Sequence, residues 1–117
     1  MYDVHYETQT VRNIVYSGPG APEYPTFPIT KGLTGGSITS LGTINVGDVS
    51  NDSRYLTAFG STQSEMIVPI IDLKEKRVVG TIDIESEERN AFDAETEQLL
   101  EECSKQISSL WCLNDKR

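Results

Sequence analysis

Ser64-Glu65-Met66-Ile67-Val68-Pro69-Ile70-Ile71 and Val78-Val79-Gly80-Thr81-Ile82-Asp83-Ile84-Glu85-Ser86 decide how this chain folds. Two apolar runs flank a charged tip, Lys74-Glu75-Lys76-Arg77, which is the pattern of two antiparallel strands joined by a hairpin. Side chains alternate faces along a strand. Val79, Thr81, Asp83 and Glu85 therefore share one face, and Val78, Gly80, Ile82 and Ile84 share the other. Two carboxylates project from a strand that is otherwise building core. Glu65 opens the partner strand, so three acids are expected to converge at one end of the hairpin. Such clustering raises the pKa of at least one of them and attracts an ammonium group or a hydrogen-bond donor.

The rest of the composition narrows the partners. A chain of 117 residues is one domain by length, with room for one core. Ten Lys+Arg against 18 Asp+Glu give a net charge of −8. That argues against nucleic acid and against an anionic membrane, both of which need clustered basic surface. There is no basic-plus-apolar leader and no apolar run of membrane-spanning length, so a cytoplasmic location is expected. The single histidine, His5, alternates with Val4 and Tyr6 and reads as a surface or edge-strand residue. One histidine argues against a His-based metal site or a Ser-His-Asp triad. Cys103 and Cys112 lie nine residues apart in the last expected helix, on nearly opposite faces, and cannot pair within it. Neither CxxC nor zinc-ligand spacing is present. Cys103 reads as a small buried hydrophobe and Cys112 as an incidental thiol.

Along the chain, residues 2–7 and 11–17 read as strands, with a short helix open for the second, and Gly18-Pro19-Gly20 ends it. Pro19, Pro22, Pro25 and Pro28 recur at the spacing of a polyproline II helix. Tyr24, Phe27 and the lack of a flanking arginine make an ordered crossing loop, its aromatics capping the core, the better reading. Lys31 to Ile38 is glycine-rich but lacks both the Gly-Lys-Ser/Thr ending and a GxGxxG spacing. A turn into a short helix over 33–41, stopped by Gly42, is expected. A strand follows over 43–49, a helical turn over 51–56 and a loop over 57–63. Pro69 requires an edge position, a bulge or an N–H that has no partner anyway. The last element is a helix over 94–111 with Asp93 as N-cap and Glu95 and Glu97 in its first turns. Its apolar stripe is Leu99, Leu100, Cys103, Ile107, Leu110 and Trp111, which reads as a core face. Glu87, Glu88, Glu101 and Glu102 read as a solvated face.

Gly32-Leu33-Thr34-Gly35, Val46-Gly47-Asp48-Val49, Ser64-Glu65 with Val68-Pro69-Ile70, Val79 to Glu85, and Phe92 before a helix with Leu99-Leu100 occur together in this order. In this the chain resembles the GAF domain, a small-molecule-binding sensor fold, from about residue 10 to the C-terminus. The resemblance implies an α+β fold: a GAF/PAS-like antiparallel central sheet, the C-terminal helix on one face and short helices and loops on the other. It implies a single GAF-like domain over 1–117, without the N-terminal helix such domains usually carry, and a homodimer through the C-terminal helix. Gly18-Pro19, Pro22-Glu23-Tyr24 and Ile29-Thr30-Lys31-Gly32-Leu33-Thr34-Gly35 are most similar to the free methionine-(R)-sulfoxide reductases within that group. The cysteines on which those enzymes run would fall at Tyr24, Thr34 and Ala58, and none of these is a cysteine. Cysteine-based sulfoxide reduction is therefore not expected. No cofactor is expected either, since no cysteine lies in the pocket region to attach a bilin. The resemblance places ligand contacts at Glu65, Asp83, Glu85 and Ser64, with Tyr24, Thr34, Tyr55 and Phe59 as walls. It implies a non-catalytic sensor domain in signal transduction for an amino-acid-sized or amine ligand, with cyclic nucleotides disfavoured. A dimerisation scaffold with a filled pocket and a reductase-like enzyme are the other readings.

Overall fold

The computed structural model describes residues 1–18, 20–56 and 60–114, with side chains through Trp111. Six strands form one antiparallel sheet: β1 (Tyr2–His5), β2 (Thr10–Asn13), β3 (Thr26–Pro28), β4 (Ile44–Val46), β5 (Ser64–Asp72) and β6 (Arg77–Ser86), in the order β3-β2-β1-β6-β5-β4. Helix α1 (Gly32–Ser40) precedes β4, a 3-10 turn at Val49–Asn51 follows it, and α2 (Ala94–Asn114) ends the described chain. Among the described residues no helix is long and apolar enough to cross a membrane.

The β5–β6 hairpin is the centre of the sheet. Its register pairs Glu65 with Glu85, Ile67 with Asp83 and Pro69 with Thr81. The Asp72 carboxylate accepts from the N–H groups of Lys74 and Glu75, and Lys76 closes the tip with a φ of 54°. Pro69 is tolerated because β4 pairs only with Glu65 to Ile67, which leaves the outer side of β5 open beyond that point, and a bulge follows at Ile70/Ile71.

The two faces of the sheet divide the packing. On one face Tyr2, Val11 and Phe27 form a buried cluster with Ile29, Ile38 and Leu56 against it, and the Tyr2 and Phe27 rings meet edge-on at 5.5 Å. Residues 26–28, expected to be loop, are strand: Phe27 pairs with Val11 and faces inward, and Pro28 is accommodated because β3 is an edge. Tyr24 does not cap this core; it is 42% exposed. Helix α1 packs on this same face, and its backbone comes close enough to Thr30 that a Cβ at Gly35 would lie 2.7 Å from the Thr30 carbonyl carbon. The helix ends at Leu41, in the left-handed region at φ 58°, rather than by Gly42 itself.

Helix α2 covers the other face. Asp93 caps it, accepting from the Thr96 N–H at 2.8 Å. The apolar positions expected as one stripe divide. Leu100, Ile107 and Trp111, with buried Ser104, turn toward the sheet, and the Trp111 ring lies over Gly80, where a Cβ would come within 2.7 Å of it. Leu99 and Leu110 are 64% and 62% exposed, and Cys103 is exposed rather than buried. The stripe spans about 120° of the helix surface, and a sheet touches only part of that arc. The side chain of Cys112 lies outside the described ones. Glu101, expected in solvent, is half-buried and accepts from the Thr43 hydroxyl at 2.7 Å. His5 sits 3.0 Å from Asp3 at the partly exposed rim of β1.

Candidate functional site

The register of β5 and β6 builds the site. Glu65 and Glu85 stand directly opposite across the strand pair, and Asp83 is the next side chain along the same face. β1 joins from the far side, with Tyr2 opposite Thr81. These residues border a half-open cavity of about 550 Å³, lined also by Met1, Asn13, Tyr16, Pro22, Ser61 and Thr62. This is the volume of a small-molecule pocket. A groove of about 610 Å³ lies on the opposite face, between α2 and the second half of β5, lined by Leu41, Val68, Leu73 and Ser108 among others. Its charged lining residues, Asp72, Lys74, Glu101 and Lys105, are of mixed sign, whereas the first cavity gathers three acids on one strand pair and is the better candidate.

The three carboxyls differ in what holds them. Asp83 Oδ2 accepts from the Thr34 hydroxyl at 2.9 Å, so α1 reaches the site through that one side chain. Asp83 Oδ1 and Thr81 Oγ1 are buried without a hydrogen-bond partner among the described residues. Glu85 accepts from the Tyr55 hydroxyl at 3.3 Å. Glu65 is 7% exposed, and among the described residues nothing hydrogen-bonds to its carboxyl. Among the described residues no side-chain cation forms an ion pair with any of the three.

The electrostatics follow. Burial pushes the Glu65 carboxyl up to about 9, with Glu85, Asp83 and Asp52 adding like-charge repulsion. Burial also raises Asp83, against the pull of the neighbouring Thr81 and Thr34 hydroxyls, and raises Glu85, against the Thr62 and Tyr55 hydroxyls. The Tyr55 phenol is pushed up to about 12, first by burial. The site is a desolvated acid cluster with hydroxyl donors and, among the described residues, no side-chain cation; the Met1 ammonium at its edge is the one positive group near Asp83 there. Such a surface holds a proton or receives one from a ligand.

Of the residues expected at the site from sequence, Glu65, Asp83 and Glu85 come together on one face, and Thr34 and Tyr55 reach them as hydroxyl donors rather than as walls. Ser64 is placed elsewhere. Being one residue from Glu65 it points to the opposite face, where its hydroxyl donates to the Glu88 carbonyl at 2.6 Å and accepts from the Ala91 N–H. Tyr24 does not line the cavity. Phe59 and Ala58 lie outside the described residues. Sequence reasoning missed Tyr2, Asn13, Tyr16 and Thr62. Tyr2 alternates with Val4 and was legible as inward-facing, but its place beside Asp83 depends on β1 pairing with β6.

An antiparallel sheet of this order, with one helix behind it and a ligand-sized acid cavity in front, defines a GAF-like α+β domain. The chain belongs to the GAF domain family, whose model matches residues 4–110. Comparison with the curated proteins gives no match. Among solved structures, the chain is similar to the type II free methionine-R-sulfoxide reductase from Thermoplasma acidophilum, at 26% identity and a TM-score of 0.84, covering 93% of this chain and 74% of that one. It is also similar to the free methionine-R-sulfoxide reductase from Neisseria meningitidis in complex with its substrate, at 28% identity and a TM-score of 0.82. That match covers 92% of this chain and 62% of the Neisseria protein. The GAF domain of an Acinetobacter phosphoenolpyruvate-protein phosphotransferase shares the fold at 19% identity and a TM-score of 0.79, with 93% and 66% covered.

Proposed function

We propose that this protein is a non-catalytic small-molecule-binding domain of the sensor type, and that its ligand is an amine or an amino-acid-sized zwitterion bound through its ammonium group. One observation carries the reading: Glu65, Asp83 and Glu85 line one cavity of about 550 Å³, and among the described residues nothing hydrogen-bonds to the buried Glu65 carboxyl. A cation stabilises such a cluster, and an anion does not. Thermal shift against a panel of alkylammonium salts, free amino acids and cyclic nucleotides tests it. Amines or amino acids raise Tm and cyclic nucleotides do not. Glu65→Gln and Asp83→Asn weaken the effect at least tenfold in ligand concentration. Normal amine binding by both variants would remove the carboxylate site from the proposal.

The reductases among the structural neighbours make catalysis the reading to test against. Thr34 is committed to Asp83 through its hydroxyl, and Tyr24 stands off the cavity, so the positions where the resemblance puts the reductase cysteines carry no thiol. Incubation with free methionine (R)-sulfoxide and a dithiol reductant should give no turnover above the reductant alone. A homodimer through the outward face of α2 is part of the same proposal, supported by exposed Leu99, Cys103 and Leu110. A cytoplasmic setting suits a domain with this acidic charge.

A further inference from the structure

The arrangement of the three acids also governs protons, an inference that rests on the amine-pocket reading above. Glu65 is faced by Glu85 and Asp83 from β6, by Tyr2 from β1, by the Tyr55 phenol, and at longer range by Asp52, which is itself clamped by Arg54 at 2.7 Å. The amino group of Met1 stands near Asp83 and donates to the Val15 carbonyl. Asp83 and Glu85 each have a hydroxyl donor that favours the ionised form; Glu65 has none among the described residues. Glu65 is also more than nine-tenths buried, and Asp83 Oδ1 is a buried oxygen with no partner beside it at the same cavity. Three carboxylates sharing a desolvated patch without a side-chain cation do not all ionise. The proton settles where burial is deep and no donor competes.

We propose that the empty pocket stores a proton on Glu65 and surrenders it when the cationic head of a ligand enters, so that ligand uptake and proton release are one event. The O–H bond of the Glu65 carboxylic acid breaks and the proton passes to water. The carboxylate left behind accepts an N–H from the incoming ammonium, and the charge of the site is unchanged by the exchange. Burial and repulsion, which lift Glu65 to about 9, support the same assignment. The pocket therefore reports pH together with ligand. Alkylammonium ions keep their charge across the neutral range, with the pKa of lysine near 10.4 as the guide, so the protein supplies the proton. For one proton exchanged, affinity rises about tenfold per pH unit below the Glu65 pKa.

Propylammonium chloride is the probe, with sodium chloride at equal ionic strength as control. Isothermal titration calorimetry in two buffers of different ionisation enthalpy gives the protons released per ammonium bound. The expected result is about one proton released and a Kd that falls about tenfold per unit between about pH 6 and 8. Gln is isosteric with the protonated acid, so Glu65→Gln is expected to fold, to bind more weakly, to release no proton and to lose the pH slope. Binding with a pH-independent Kd and no proton release overturns the exchange and leaves the amine pocket standing. Proton release undiminished in Glu65→Gln overturns the assignment to Glu65. Absence of any propylammonium binding across this range, by heat and by thermal shift, overturns the pocket reading and the exchange together.

Discussion

Burial and like-charge repulsion lift the Glu65 carboxyl to about 9 in the fold, against the ordinary carboxylate range once unfolded. Between those two values the folded state binds the extra proton. Stability is therefore fully present below the unfolded pKa and declines as pH rises toward the folded one. At its steepest the slope is about 1.4 kcal/mol per pH unit, and the other two raised acids add in the same direction. Urea melts should show Glu65→Gln more stable than the parent at pH 8 and near equal to it at pH 5. An unchanged difference at the two pH values would mean that Glu65 is ionised in the fold. The acids themselves were legible in sequence, because alternation on one strand puts Asp83 and Glu85 on one face. The same rule, applied to adjacent Ser64, separates it from Glu65, and the hydrogen bond to Glu88 realises that separation.

At the scale of elements, α2 carries two seams. Leu100 and Ile107 lie on the sheet side and are half-buried, so truncating either to Ala should cost about 1–3 kcal/mol, toward the low end of core truncations. Leu99→Ala, on the outward side, should change monomer stability by less than about 0.5 kcal/mol. Equal losses at all three positions in denaturant melts would contradict the division of the stripe. Gly80 is a second test of this packing. An added methyl meets the Trp111 ring at 2.7 Å and the Tyr2 carbonyl oxygen at 2.8 Å. The oxygen is backbone and cannot rotate away. Gly80→Ala should therefore destabilise by about 1–3 kcal/mol and shift Trp111 fluorescence as the ring is displaced. The helix, its start and its cap at Asp93 followed from sequence, while its end lies at Asn114, beyond the expected 94–111. Which arc of its stripe met the sheet did not, since periodicity sets a face only to within the width of the apolar arc.

For the whole molecule, exposed Leu99, Cys103 and Leu110 on one side of α2 support the proposed pairing of two copies. Light scattering at tens of micromolar, roughly where a micromolar dimer is populated, should give twice the mass of 13.0 kDa, and Leu99→Glu with Leu110→Glu should return it to one. A monomer at that concentration removes the pairing. The net charge of −8 predicts no retention on DNA or on anionic vesicles at physiological salt, where a basic patch would be required.

The sequence by itself determined the hairpin, its register of faces, the capped last helix and the presence of three acids near one end of the strands. These are properties of local periodicity, turn chemistry and capping, which act over a few residues. Tertiary structure alone decided that residues 26–28 pair as a strand, because Phe27 finds Val11 and Tyr2 only after the sheet has formed. It alone decided that Tyr2 and Thr34 reach Asp83's surroundings and that Glu65 has no hydrogen-bond donor among the described residues. Whether a carboxyl is solvated or buried depends on what the rest of the chain places over it. Burial is a sum over contacts from distant segments, and no spacing within one strand encodes it.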